Sequence, residues 1–285
     1  MAIKLMYITN NEEIARIAEN NGVDWIFIDL EVHGKADRQR GLNTVISYHS
    51  INDVQKIKGV LNNSELLVRV NPLYEDSKHE IDSVIENGAD IVMLPYFKAK
   101  DEVEIFIKQV RGRAKVCLLL ETVQAVNNID SILSVPGIDC VHIGLNDLYL
   151  GNKMNFIFEP LANGMVENIC CKVKQKKIPY GFGGIARIGE LALPAENILA
   201  EHYRLGSSMV ILSRSFCNTT LIKDLDKIRE IFTIGVKEIR DYEAVLLKAD
   251  KSLFELNKEY VREKVEEIAL NCKGQSCKSI ERVKK

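Results

Sequence analysis

Long apolar runs are missing from this sequence of 285 residues, and none approaches the roughly 18 needed to cross a bilayer. The opening Met1-Ala2-Ile3-Lys4-Leu5-Met6 meets polar Thr9 and Asn10 too soon for a secretory leader. No membrane role is expected, and the expected compartment is the cytoplasm. An excess of one charge is missing too. Lysine and arginine total 38 against 40 acids, a net of −2, so no overall field draws the chain onto nucleic acid or a membrane surface. The expected partners are small molecules. Paired cysteine spacing is the third absence: the seven cysteines are odd in number and irregular, with Cys117, Cys140 and Cys217 in apolar stretches, Cys170 beside Cys171, and Cys272 and Cys277 in a polar tail. That pattern excludes a zinc cluster or a disulfide framework and suits a reducing compartment.

What is present is a 46% hydrophobic, 27% charged chain, enough apolar material for a large core under a soluble surface. Its length fits either two domains or one α/β barrel. Short β-rich runs alternate with amphipathic ones, the pattern of repeated βα units around a parallel sheet. Eight runs read as strands, over 3–8, 25–31, 66–71, 90–95, 115–121, 139–145, 180–184 and 209–213. Most are continuously apolar, as strands buried on both faces are. Helical spacing falls over 12–20, 51–61, 79–87, 101–110, 126–133, 165–176 and 195–205, and Gly22, Gly88, Gly137 and Gly206 each stop such a run. Eight strands close a barrel, so the expected fold is a (β/α)8 barrel over residues 1–245.

The chain then continues. Leu225, Ile228, Phe232, Val236, Ile239 and Tyr242 keep helical spacing, and so do Leu253, Leu256, Tyr260, Val265 and Ile268. One barrel needs one final helix, so 246–272 is expected to be a helical extension that packs on its own barrel or is exchanged between subunits of a homo-oligomer; exchange is the favoured expectation. The polar stretch 273–285 is expected to be a mobile tail.

In such a barrel the active site lies at the carboxyl ends of the strands. The polar groups there are Asp29, Glu31 and His33 after strand two, Arg69 and Asn71 after strand three, Glu121 after strand five, Gly144-Leu145-Asn146-Asp147 after strand six, Arg187 after strand seven and Arg214 after strand eight. Glu121 and Asp147, from adjacent strands, offer oxygen ligands suited to Mg2+ or Mn2+; alternatively Glu121 caps a helix and Asp147 pairs with an arginine. Arg69 offers a charged fork to a carboxylate or an enolate oxygen, or forms a buried salt bridge to Asp29 or Glu31. His33 is a candidate base or a solvent-exposed loop residue, whereas His49, His79, His142 and His202 read as core or surface. Arg187 and Arg214 suggest an anionic substrate between the last two loops; alternatively Arg214 pairs with an acid such as Glu201. A Schiff-base lysine is not expected, since Lys35 and Lys98 lie a few residues into loops.

Five segments in order carry a resemblance: Trp25-Ile-Phe-Ile-Asp-Leu-Glu31, Leu67-Val-Arg69-Val-Asn, Gly88-Ala-Asp-Ile-Val-Met-Leu-Pro95, Leu119-Leu-Glu121-Thr, and Val135 through Gly144-Leu-Asn-Asp147-Leu. Over about residues 3–245 the chain resembles the HpcH/HpaI aldolase and citrate lyase family of metal-dependent (β/α)8 enzymes. The resemblance implies that Glu121 and Asp147 ligate the metal and that Arg69 holds the enolate of a 2-oxo acid such as pyruvate. It also shows departures. Val32 separates Glu31 from His33 where the aldolase branch has Glu followed directly by His, leaving His33, an acid such as Glu31 or a metal-bound water to move the proton. Glu86 stands near the place of the acid that partners that histidine, and Gly144-Leu145-Asn146-Asp147 replaces the Gly-Pro-x-Asp common in the family. Asn71, Gly144, Leu145, Asn146, Arg187 and Arg214 are expected to bind substrate, with Asp29 and Glu31 beside Arg69. The implied activity is a carbon–carbon lyase of the metal-dependent aldolase type, joining a 2-oxo acid to an aldehyde or acyl partner. The rivals are a citrate-lyase-like enzyme acting on a CoA thioester and a non-catalytic barrel serving as a binding or scaffold subunit.

Overall fold

The computed structural model describes residues 2–34 and 49–273. Eight parallel strands close into a barrel in sequence order: β1 (Lys4–Ile8), β2 (Trp25–Asp29), β3 (Glu65–Arg69), β4 (Ile91–Leu94), β5 (Lys115–Leu120), β6 (Cys140–Ile143), β7 (Tyr180–Ile185) and β8 (Met209–Leu212), with β8 pairing back onto β1. All eight expected strands are present, each within a few residues of its expected ends. Alternation along the strands divides the apolar residues between two cores. Met6, Phe27, Leu67, Met93, Cys117, Leu119 and Met209 fill the barrel interior. The intervening residues, such as Leu5, Ile26, Val68, Val92 and Leu118, face the surrounding helices.

The helices are α1 (Glu12–Asn20), α2 (Ile51–Lys58), α3 (Ser77–Glu86), α4 (Lys100–Val110), α5 (Val123–Asn127), α6 (Ile129–Ile132), α7 (Leu145–Gly151), α8 (Glu159–Ala162), α9 (Met165–Gln175), α10 (Ala195–Leu205), α11 (Leu225–Leu246) and α12 (Lys251–Lys273). Local chemistry sets several of their ends. Asn11 accepts from the Ile14 N–H at 3.0 Å to start α1, and Asp224 caps α11 through the N–H groups of Asp226 and Lys227. Gly88, at φ 101°, makes the left-handed turn from α3 into β4. The helix expected over 126–133 is instead two short ones, broken at Asn128, whose side chain donates to the Lys98 carbonyl at 3.0 Å. Helices α7 and α8 were not expected. β6 stops at Ile143, and residues 145–151 coil where an extended end was foreseen.

The amino-terminal end of the barrel is sealed. Glu65 accepts from the Trp25 indole at 3.0 Å and pairs with Lys4 and Lys115, while Lys4 lies over the Trp25 ring. Long helix α11 packs on α1 and α10, and α12 lies across α10 and α8 of the same chain. Val261, Val265, Ile268 and Cys272 are buried beneath α12, and Asn257 donates to the Asn197 carbonyl and to Glu201. Cys117, Cys140, Cys170 and Cys217 are buried free thiols. No helix among the described residues is long and apolar enough to cross a membrane. Lys35, Cys277 and the expected tail beyond residue 273 lie outside the described residues.

Candidate active site

The carboxyl ends of the strands open on a cavity of about 940 Å³. Alternation places Asp29, Arg69 and Glu121 on its wall at or just past the ends of β2, β3 and β5. Asp29 and Arg69 are register partners, and the guanidinium meets the carboxylate in two parallel bonds, Nε to Oδ1 and Nη2 to Oδ2, both 2.8 Å. Its third nitrogen, Nη1, lies 3.2 Å from Glu31 Oε2. Burial by itself would lower the Arg69 pKa, but the charges of Asp29 and then Glu31 outweigh it and hold the group firmly cationic. The salt bridges weighed as an alternative role for Arg69 are thus present. They also fix its plane at the cavity wall.

Glu121 is buried, and its carboxyl is pushed well above the usual range by burial first, then by the Asp147 charge and the Glu31 charge; Arg69 and the Tyr96 N–H, 3.1 Å from Oε1, act against this. Tyr96 takes a left-handed φ of 52° to point that N–H inward, a strained conformation for a tyrosine. Asp147 reaches the same cavity from the first turn of α7. Between the two acids the chain needs a glycine: a Cβ on Gly144 would sit 2.7 Å from Glu121 Oε2.

This donor set fits a hard divalent cation. Glu121 and Asp147 supply carboxylate oxygens held within mutual repulsion, which a divalent cation between them would relieve. Among the described residues no group of three or more His, Cys, Asp or Glu forms a metal cage. Two carboxylates leave the other positions of a Mg2+ or Mn2+ shell to water and substrate.

His33 follows β2 in a turn, its ring edge-on to Tyr74 at 4.5 Å. Asn71 holds that turn: its Oδ1 accepts from the N–H groups of Val32 and His33 at 2.9 and 3.0 Å, and its Nδ2 donates to Glu80 at 2.8 Å. Both ends of the amide are engaged by the protein, so the structure gives Asn71 a positioning role in place of the expected substrate contact. Glu80 is buried in the first turn of α3, its pKa raised by burial and drawn back by the Asn71 hydrogen bonds and the His33 charge. Glu86 lies elsewhere. It is exposed at the last turn of α3, toward the sealed end of the barrel, and the acid that the structure sets beside His33 is Glu80.

The model of the HpcH/HpaI aldolase/citrate lyase family matches residues 4–155, just over half of the chain. The chain belongs to that family. A hydroxypyruvate/pyruvate aldolase of Sagittula stellata is 26% identical over 216 residues, which cover 63% of this chain and 77% of that protein. Among solved structures, the HpcH/HpaI aldolase of Desulfitobacterium hafniense DCB-2 superposes with a TM-score of 0.58 at 17% identity, over 80% of this chain and 93% of that one. Citrate synthase SbnG gives 0.59 at 16%, over 80% and 94%. Likeness at that identity concerns the fold.

In this family member the ends of β6, β7 and β8 complete the mouth. Gly144, Leu145 and Asn146 line it. Gly183, at φ 52°, leaves no room for a side chain, since a Cβ would meet Leu145 at 2.7 Å. Beneath them His142 Nε2 lies 3.1 Å from the Gly183 carbonyl, and burial, aided by the Arg69 charge, lowers its pKa to about 4. It is a neutral imidazole in the barrel, as a core role requires. Arg187 pairs with Glu190. Arg214 lines the cavity, and Glu201 binds Arg204 and Asn257 instead of it. Sequence reasoning missed Glu80 and Tyr96. A glutamate opening an amphipathic helix signals Glu80 only weakly, and nothing in the sequence signals the φ of Tyr96.

Proposed function

We propose that the chain is a divalent-metal-dependent carbon–carbon lyase working through the enolate of a 2-oxo acid such as pyruvate, with an aldehyde as the second substrate. The observation that carries this reading is the convergence of Glu121 and Asp147 with a firmly cationic Arg69 at the open end of the barrel. The Sagittula stellata relative, named for hydroxypyruvate and pyruvate, supports the 2-oxo acid over a CoA thioester. Mg2+ or Mn2+ held by Glu121 and Asp147 would supply positive charge for the substrate's carboxylate and keto oxygens.

The chain's own groups do the rest. Arg69, clamped by Asp29 and Glu31, presents fixed positive charge where the enolate oxygen develops, with no reorganisation needed at that moment. The C3 proton of pyruvate goes to His33, whose backbone Asn71 holds in the turn after β2, or to the acid Glu31 beside Arg69; the C3 carbon then bonds to the aldehyde carbon, whose oxygen gains a proton. Cleavage runs the same steps backwards and needs no oxidant. Neutral His142 adds no competing cation beneath the site.

Calorimetry tests the ligand assignment. Glu121→Gln and Asp147→Asn should each weaken Mn2+ binding at least about tenfold, since an amide loses the charge attraction that holds a hard cation. Parent-like affinity in both variants rejects it.

A further inference from the structure

Two histidines among the described residues line the cavity, His49 and His142. His142 is tied to the Gly183 carbonyl within the barrel. His49, which sequence spacing reads as core or surface, stands half-buried at the mouth.

The fold holds His49 from two sides. β1 pairs with β2 only as far as Phe27, and the N–H of Asp29, the last residue of β2, donates to His49 Nδ1 at 3.0 Å. The next residue, Ser50, starts α2. Its N–H and hydroxyl both donate to Asp53 Oδ2, at 2.8 and 3.0 Å, and the same oxygen accepts from Asn10 Nδ2 at 3.3 Å. Val54 and Ile57 bury the helix they belong to. The imidazole is therefore fixed between a strand end and an anchored helix start.

Its bond to Asp29 decides what the ring can do. A backbone N–H only donates, so Nδ1 carries a lone pair and the ring's one proton is on Nε2. A second proton, on Nδ1, would set N–H against N–H and break the contact. While Asp29 holds it, the imidazole is a neutral donor, suited to an oxygen on which negative charge grows and unsuited to carrying protons. Its place says which oxygen. Glu121 and Asp147 follow β5 and β6, and β6 lies four strands from β2 in either direction round the closed barrel. A 2-oxo acid at the two acids has open cavity between it and His49, and the second substrate fills that space.

We infer that the Nε2–H of His49 binds the carbonyl oxygen of the aldehyde and holds the alkoxide formed when C3 bonds to the carbonyl carbon. As that bond forms, the C=O π pair moves onto oxygen. The proton that completes the hydroxyl balances the one removed from C3, so none leaves His49. This rests on the aldolase reading above and deepens it by assigning the donor that meets the acceptor's oxygen.

Exchange of the pyruvate methyl protons in heavy water reads the enolate half of the reaction alone. Condensation of pyruvate with glycolaldehyde, propanal or succinic semialdehyde reads both halves. In His49→Leu, exchange should stay within about twofold of the parent while kcat for condensation falls about 10²-fold, the worth of one oxyanion donor. His49→Gln keeps an N–H near the place of Nε2 and should recover condensation to within about tenfold of the parent. Condensation as slow in His49→Gln as in His49→Leu overturns the donor role, since an amide replaces a hydrogen-bond donor and not a proton carrier. Equal loss of exchange and condensation in His49→Leu also overturns it, by placing His49 at the enolate or in the scaffold alone. A parent that exchanges but condenses none of the three aldehydes has no acceptor oxygen for His49, and the inference falls while the enolate chemistry stands. A parent that does not exchange ends the aldolase reading, and the inference with it.

Discussion

At the barrel mouth the carboxylates of Asp29 and Glu31 hold the guanidinium of Arg69, and Glu121 lies within reach of the Arg69, Asp147 and Glu31 charges. Asp29 and Glu31 are answered by Arg69, and Glu121 and Asp147 are the proposed ligands of the cation. One layer below, His142 has its pKa lowered from 6.5 to about 4, chiefly by burial. An unfolded chain therefore binds a proton at this residue as pH falls below about 6.5, while the folded chain refuses it until about 4. The stabilising contribution is complete above that window and is lost on acidification through it. Between pH 7 and pH 5 the loss should be about 2 kcal/mol, and denaturant unfolding at the two pH values should show it shrink by that amount in His142→Phe. An identical pH dependence in the variant would mean that His142 titrates freely in the folded protein.

Elements differ in how openly the sequence declares them. The strands were legible because burial on both faces makes continuous apolar runs such as Val116 to Leu120, and the Arg69, Glu121 and Asp147 cluster was legible because charge ending such a run is conspicuous. Helix α7 was not, since Leu145 continues the apolar run of β6 in sequence while the backbone has already turned. Nor was the partner of His33. Glu86 was the nearer match in sequence, but the helical turn that faces the carboxyl ends of the strands is the first turn of α3, and it carries Glu80. The β6–α7 junction makes its own prediction. Gly144→Ala places a methyl 2.7 Å from Glu121 Oε2 and must displace that carboxylate, so Mn2+ affinity should drop about 10- to 100-fold by calorimetry. Unaltered affinity would show that Glu121 is free to move aside without cost to the cation.

For the molecule as a whole, the two long carboxyl-terminal helices divide the work. Helix α11 ties the chain's start to its end: Glu243 accepts from the buried Ile3 N–H at 2.7 Å and pairs with Arg240. Helix α12 covers α10 and α8 of its own barrel, with Asn257 as the polar pin. Exchange of this helix between copies stays a proposal, and truncation after Ala249 addresses what α12 does in either case. Removing it uncovers the apolar surface beneath Val261, Val265 and Ile268, so the shortened chain should melt lower and should associate or precipitate. A shortened chain with the parent's melting temperature and subunit count would make α12 an appendage.

The central claim, that this mouth stabilises the enolate of a 2-oxo acid with a divalent metal and Arg69, is tested most directly by exchange of the pyruvate methyl protons in heavy water, followed by NMR without any aldehyde present. The account predicts exchange with Mg2+ or Mn2+, its loss in EDTA, and a rate lower by about 10² in Arg69→Lys, where charge is kept and the two-pronged clamp to Asp29 is lost. Exchange that persists undiminished in EDTA, or that Arg69→Lys supports as fast as the parent, would contradict it.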